Sequence, residues 1–236
     1  MEQINIIFIH GLLANKNSNI AFEEYCIKNN FNYYSLDLPG HGEEPFNDID
    51  LHLDAYIDFV LNFININNIK KPILVGHSLV GPITVGLISK MNKEDRSLVI
   101  LEDPIKQSII ENIKPGKIES YVFDVGIFLK KIKDISKYMF KNFNKIRQLL
   151  ANSTSNESLI FLWNCYRKID IPTLVIFGEK DKLLNQESSV KNIKGLNKDI
   201  EFSIIKEARH TPNVNDPESF INSINDFLIK NKIINE

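Results

Sequence analysis

With 236 residues, 43% of them hydrophobic and 25% charged, the chain can bury one sizeable core and carry an inserted subdomain, and its composition is not that of a disordered protein. A formal net charge of −2 gives no reason to expect a nucleic-acid-binding surface. Two cysteines, Cys26 and Cys165, cannot build a disulfide framework and lack metal-type neighbours, so free thiols in a reducing compartment are expected. Glu2 stands where a secretory leader would be basic, and the apolar run 4–9 is too short for such a leader. No apolar stretch is long enough to span a membrane, so a cytoplasmic protein is the expectation.

The run 4–9 reads as a first strand, ending in His10-Gly11-Leu12-Leu13, where Gly11 permits a tight turn and the next backbone N–H can face a developing negative charge. Helical spacing follows over 20–28, then a strand over 31–36 that runs into Asp37-Leu38-Pro39-Gly40-His41-Gly42. A helix is expected over 51–66. Asp48, Asp50, His52 and Asp54 lie two apart on or before it, so they do not share a face and do not suggest a metal site. The next strand, 73–75, leads into Gly76-His77-Ser78-Leu79-Val80-Gly81 and a helix over 79–90. A serine between a buried strand and a helix is the setting of a nucleophile elbow. Its usual pattern is G-x-S-x-G; here Val80 holds the second glycine position and Gly81 follows one residue late.

After a strand over 98–101 come Glu102 and Asp103, and then more than sixty residues without a strand pattern. Phe128, Ile132, Ile135, Met139 and Phe143 recur at helical intervals, as do Leu159, Leu162, Trp163 and Tyr166, so 105–170 reads as a helical insertion. It holds twice as many basic as acidic residues, whereas the remainder is net acidic. The strand 173–177 ends in Gly178-Glu179-Lys180-Asp181, and helical spacing is seen over 188–193. The strand 200–205 leads to Arg209-His210-Thr211-Pro212, and a helix over 220–229 follows Asp216-Pro217-Glu218. Strands alternating with helices imply an α/β fold with a mostly or wholly parallel sheet of six strands, helices on both faces.

Ser78, Asp181 and His210 occur in the order of a triad built on an elbow serine. A serine hydroxyl becomes nucleophilic when a base takes its proton. An imidazole titrates near working pH, and a carboxylate behind it fixes its tautomer. Asp181 is the preferred acid; Asp103, also after a strand, is its rival. Leu12 N–H and Leu79 N–H are the natural oxyanion donors. His10, His41 and His77 are expected to bond loop backbone, and His52 to be an exposed helix residue.

These five motifs, in this order and over nearly the whole chain, resemble the α/β-hydrolase fold superfamily. The resemblance implies a serine hydrolase with Ser78 as nucleophile, Asp181 as acid and His210 as base; no zinc or phosphate-loop motif is seen in the sequence, so no cofactor or metal is expected. It implies a core of residues 1–104 and 171–236 with a lid formed by 105–170. Family members usually begin with an antiparallel hairpin that is missing here, hence six parallel strands where eight are usual. The lid aromatics Phe128 and Trp163, together with Leu13, are candidates for a pocket taking a small-molecule acyl substrate. A carboxylesterase is the leading expectation, with a thioesterase, lactonase or lyase on the same triad as alternatives. A ligand-binding protein that has lost turnover is the alternative of another class.

Overall fold

Most strands form where β-branched and aliphatic residues run together, and each sends alternate side chains to opposite faces of one sheet. The strands are β1 (Asn5–Ile9), β2 (Asn32–Leu36), β3 (Ile73–His77), β4 (Val99–Glu102), β5 (Thr173–Gly178) and β6 (Glu201–Ile205). The computed structural model describes residues 3–12, 14–46, 50–78, 80–104, 142–153, 155–181 and 186–235. All six strands are parallel, in the spatial order β2-β1-β3-β4-β5-β6, which is the sheet expected from the sequence.

The helices are α1 (Ile20–Lys28), α2 (Leu53–Ile66), α3 (Val80–Lys90), α4 (Phe143–Ser153), α5 (Asn156–Lys168), α6 (Gln186–Leu196), α7 (Pro212–Asn215) and α8 (Pro217–Lys230). Two cores result from the strand alternation. Ile7, Ile9, Leu74, Leu101, Val175 and Phe177 face one cluster with residues of α2, α3, α5 and α6. Ile6, Phe8, Val75, Ile100 and Ile176 face the other, with Phe22 and Cys26 of α1 and Phe220, Ile224 and Phe227 of α8. Cys26 and Cys165 therefore belong to opposite faces, and both are free.

Helix α8 starts where the sequence marks it: Pro217 holds the first position and the Asp216 carboxylate accepts the Ser219 N–H at 3.0 Å. Helix α6 extends beyond the expected 188–193 at both ends, because most of its residues are polar and the periodic signal is short.

Much of the expected insertion, residues 105–141, lies outside the described residues. The rest forms α4 and α5. Leu162, Cys165, Tyr166 and Ile169 join the core on the α3 side, so α5 is seated on the main domain. Asn152 at the end of α4 donates from Nδ2 to the Leu51 carbonyl at 2.8 Å, and the Lys145 ammonium lies 5.5 Å from the centre of the Phe46 ring. Helix α4 is thereby tied to the stretch following β2. No helix among the described residues is long and apolar enough to cross a membrane.

The strand order reverses between β1 and β3. The chain leaves β1 toward α1 on one face and leaves β3 toward α3 on the other, which opens a crevice above the carboxyl ends of these two strands. The Gly11 turn and Ser78 both lie there.

Candidate active site

Ser78 follows β3 directly and adopts φ +57°, a left-handed conformation that costs a residue with a side chain free energy. The turn is held by the Ser78 N–H, which donates to the Glu102 carbonyl at 2.8 Å, and by the Gly81 N–H, which donates to the Ser78 carbonyl at 3.0 Å. Val80, where the usual pattern has glycine, opens α3 and is buried in the core on that face. The helix nevertheless stays close to its strand: a Cβ at Gly76 would come within 2.1 Å of Thr84 Oγ1. The close approach is thus made two residues before the serine, and Val80 is absorbed by packing.

The Ser78 hydroxyl lies 2.7 Å from His210 Nε2, and His210 Nδ1 lies 2.9 Å from Asp181 Oδ2. The Asp181 side chain is fully buried, whereas that of His210 is 22% exposed, so the imidazole keeps one edge open. With the Nδ1 proton directed at the carboxylate, Nε2 is left as the acceptor for the serine proton.

Two loops hold the acid and the base together. The Glu179 N–H donates to the Ile205 carbonyl at 2.9 Å and the Lys180 N–H to the Ala208 carbonyl at 2.7 Å. The Gln186 amide donates to the carbonyls of Gly178 and Glu179 at 2.6 and 2.8 Å, which closes the turn before Asp181. Neither Gln186 nor these backbone ties carried a signal in the sequence, since they depend on where loops meet.

The rival acid lies at the same place. Asp103 is fully buried at φ +39°, and its ligand atoms, those of Asp181 and those of His210 all fall within 4.8 Å of one another. Its two carboxylate oxygens each lie 3.3 Å from the Gly178 N–H. Such a cluster has the composition of a metal site, but here the imidazole is engaged by Ser78 and Asp181.

On the other side of Ser78 stands the turn after β1. A Cβ at Gly11 would meet His77 Nδ1 at 2.6 Å and Ser78 Cβ at 3.1 Å, so the backbone here passes directly beside the serine. Leu12 follows in this turn. His10 donates from Nδ1 to the Gly11 carbonyl at 2.8 Å and accepts the Leu38 N–H on Nε2 at 3.1 Å, which requires a neutral ring. Burial, and next the neighbouring His41, lower the His10 pKa to about 3. His41 donates from Nδ1 to the Pro39 carbonyl at 3.2 Å, and His52 is exposed before α2. His10 and His41 bond loop backbone as expected, whereas His52, expected on the helix, is its extended N-cap.

Leu79, the second oxyanion candidate, lies outside the described residues, as do Leu13 and Phe128. Trp163 is half-buried on α5, next but one to Phe161, which packs against Gly86 of α3. The side chain of Glu102, to which the sequence assigns no role, is fully buried and accepts the Asn213 N–H at 2.7 Å. An acid closing an otherwise apolar strand was the available sign.

A six-stranded parallel sheet with a serine turn at its switch point, and a carboxylate and an imidazole in the loops after two later strands, defines a class. The protein has the α/β-hydrolase fold, and residues 4–101 match the family model for that fold. Among named proteins, it is 26% identical over 244 residues to "Putative esterase/lipase 1" of Mycoplasma genitalium, covering 94% of this chain and 90% of the relative. A protein of the same name from Mycoplasma pneumoniae is 24% identical over 250 residues, covering 97% of this chain and 92% of that one. Among solved structures, a carboxylesterase of Nitrososphaera gargenis superposes with a TM-score of 0.74 at 15% identity, covering 99% of this chain and 93% of the other. A bromoperoxidase from Bacillus anthracis superposes with a TM-score of 0.73 at 18% identity, covering 96% and 92%. At these identities the structural likeness speaks for the fold.

Proposed function

We propose that this protein is a serine hydrolase that cleaves carboxylic esters, with Ser78 as nucleophile, His210 as base and Asp181 as acid. The observation that carries the reading is the unbroken chain from Ser78 Oγ to His210 Nε2 at 2.7 Å and from His210 Nδ1 to Asp181 Oδ2 at 2.9 Å. Two relatives of nearly equal length that bear esterase/lipase names support the same activity.

In this mechanism Ser78 Oγ bonds to the ester carbonyl carbon while its proton passes to His210 Nε2. Asp181 stabilises the imidazolium so formed. The negative charge on the former carbonyl oxygen faces the Leu12 and Leu79 N–H groups; the position of Gly11 beside Ser78 supports the first of these. Collapse expels the alkoxide, which takes the proton from His210, and leaves an acyl-Ser78. Water then attacks the acyl carbon, giving its proton to His210, and the acid is released as the proton returns to Ser78. The segment 105–170 is the lid over this crevice, anchored to the core through α5. Phe128 and Trp163 of this segment, together with Leu13, are the candidate acyl contacts, with small and medium acyl chains as the substrate range.

The test is a panel of p-nitrophenyl esters and thioesters of graded acyl length, run alongside fluorophosphonate labelling. Ser78→Ala is expected to lower kcat by roughly 10^4-fold or more and to abolish labelling. Hydrolysis undiminished in that variant, or folded wild-type protein that does not label at Ser78, overturns the reading.

A further inference from the structure

The segment that carries His210 is tied down at both ends by two buried side chains that sit opposite each other on the sheet. His77, the last residue of β3, donates from Nε2 to the His210 carbonyl at 2.9 Å. Glu102, the last residue of β4, accepts the Asn213 N–H on Oε1 at 2.7 Å. The two are register partners across the β3–β4 pair. Glu102 also holds the nucleophile, since its backbone carbonyl accepts the Ser78 N–H at 2.8 Å. Serine and base are 132 residues apart in the chain, yet both are referred to the same two strand ends.

Packing alone gives no reason for a carboxyl group at Glu102. The side chain is wholly buried, and burying a carboxyl group costs free energy unless hydrogen bonds offset it. Its Oε2 has no partner among the described residues, so the tie to Asn213 is what the group contributes. Burial pushes Glu102 up to about 8. Burial, and next the neighbouring His210, bring His77 down to about 4. Both groups are therefore uncharged at neutral pH, and they can hold the loop without placing a fixed charge beside the base. Asn213 is tethered on its far side as well, through Nδ2 to the Ser18 carbonyl at 3.4 Å.

We propose that His77 and Glu102 form a positioning pair that holds the segment 210–213 at both ends, so that His210 Nε2 meets Ser78 Oγ at hydrogen-bond distance. The catalytic consequence rests on the hydrolase reading above; the geometric one does not.

Crystal structures and kinetics of Glu102→Met, His77→Leu and Glu102→Gln test it. In the first two, the Ser78 Oγ–His210 Nε2 separation is expected to open by about 1 Å. A misplacement of that size lowers kcat on the order of a hundred-fold, with KM changed by less than roughly threefold. Glu102→Gln keeps a neutral acceptor in the same shape and is expected to recover most of the loss. If Glu102→Met does not fold, His77→Leu and Glu102→Gln still decide the matter.

A separation that stays within hydrogen-bond distance in the truncated variants overturns the proposal. So does a kcat deficit that vanishes when each variant is assayed far below its unfolding temperature, because the pair would then serve stability alone. Wild-type protein without Ser78-dependent hydrolysis would instead overturn the hydrolase reading, and the measured separations would still decide the pair.

Discussion

Ser78 tolerates φ +57° because its N–H and its carbonyl both have partners and because α3 begins immediately behind it. The strain lifts the hydroxyl clear of the strand end, toward an imidazole from a different part of the chain. Two carboxylates lie near that imidazole. Asp181 meets Nδ1 at 2.9 Å, whereas both Asp103 oxygens reach the Gly178 N–H at 3.3 Å. Asp181→Asn should therefore lower kcat by roughly 10^3- to 10^4-fold through loss of the correct tautomer. Asp103→Asn should cost much less, on the order of tenfold, since it disturbs the turn and leaves the relay intact. Equal losses in p-nitrophenyl acetate turnover would show that the two acids act as one unit.

The β3–α3 unit is the element on which the site depends most. Its tight approach is made by Gly76 against Thr84, whose hydroxyl donates to the Val80 carbonyl at 2.9 Å. Gly76→Ala places a methyl group where Thr84 Oγ1 now lies, and the helix start must move. A stability loss of about 1–3 kcal/mol is expected from overpacking, together with lower turnover as Ser78 shifts. Adding Thr84→Ala removes the nearest obstructing atom and should return part of both losses, as read by denaturant midpoints and kcat. If the double variant is as impaired as Gly76→Ala alone, this contact does not set the elbow. By the G-x-S-x-G signature, Val80 stands where a glycine would allow close approach, and difficulty is expected there. The difficulty is absent there because that signature records sequence spacing, while the point of closest approach depends on how the helix axis is set.

Across the whole molecule, buried titratable groups give stability a preferred pH. Unfolded histidines take up protons near 6.5, whereas folded His10 and His77 resist protonation down to about 3 and about 4, chiefly through burial. His41 is lowered by the same cause. As pH falls below 6.5 the unfolded chain binds protons that the folded chain does not, and stability is lost at about 1.4 kcal/mol per pH unit for each such histidine. Glu102 has the opposite sign. Its folded carboxyl keeps a proton up to about 8 against 4.5 when unfolded, so its contribution is lost as pH rises through that interval. Between 4.5 and 6.5 the histidines outweigh the single carboxyl, and above 6.5 the carboxyl acts alone. The urea midpoint should therefore be highest near pH 6.5 and lower at both pH 5 and pH 8. Glu102→Gln should flatten the alkaline side and steepen the acid side, where the carboxyl no longer opposes the histidines; a midpoint still falling toward pH 8 in that variant would assign the loss to other groups.

The amino-acid sequence by itself determined the strands, their parallel arrangement and the candidate triad. Strand positions are written in short apolar runs, and chemistry-bearing residues stand at the ends of those runs, where a parallel sheet gathers them on one edge. Only the tertiary structure decided which carboxylate meets His210 Nδ1, how Val80 is accommodated beside the elbow, and that Glu102 and His77 tie down the loop of the base. Those outcomes depend on distances between segments far apart in the chain. Such distances follow from the packing of helices on the two sheet faces, which local periodicity does not encode. Ser78 was legible because its neighbours in sequence form its turn, and Glu102 was not because its partner lies 111 residues away.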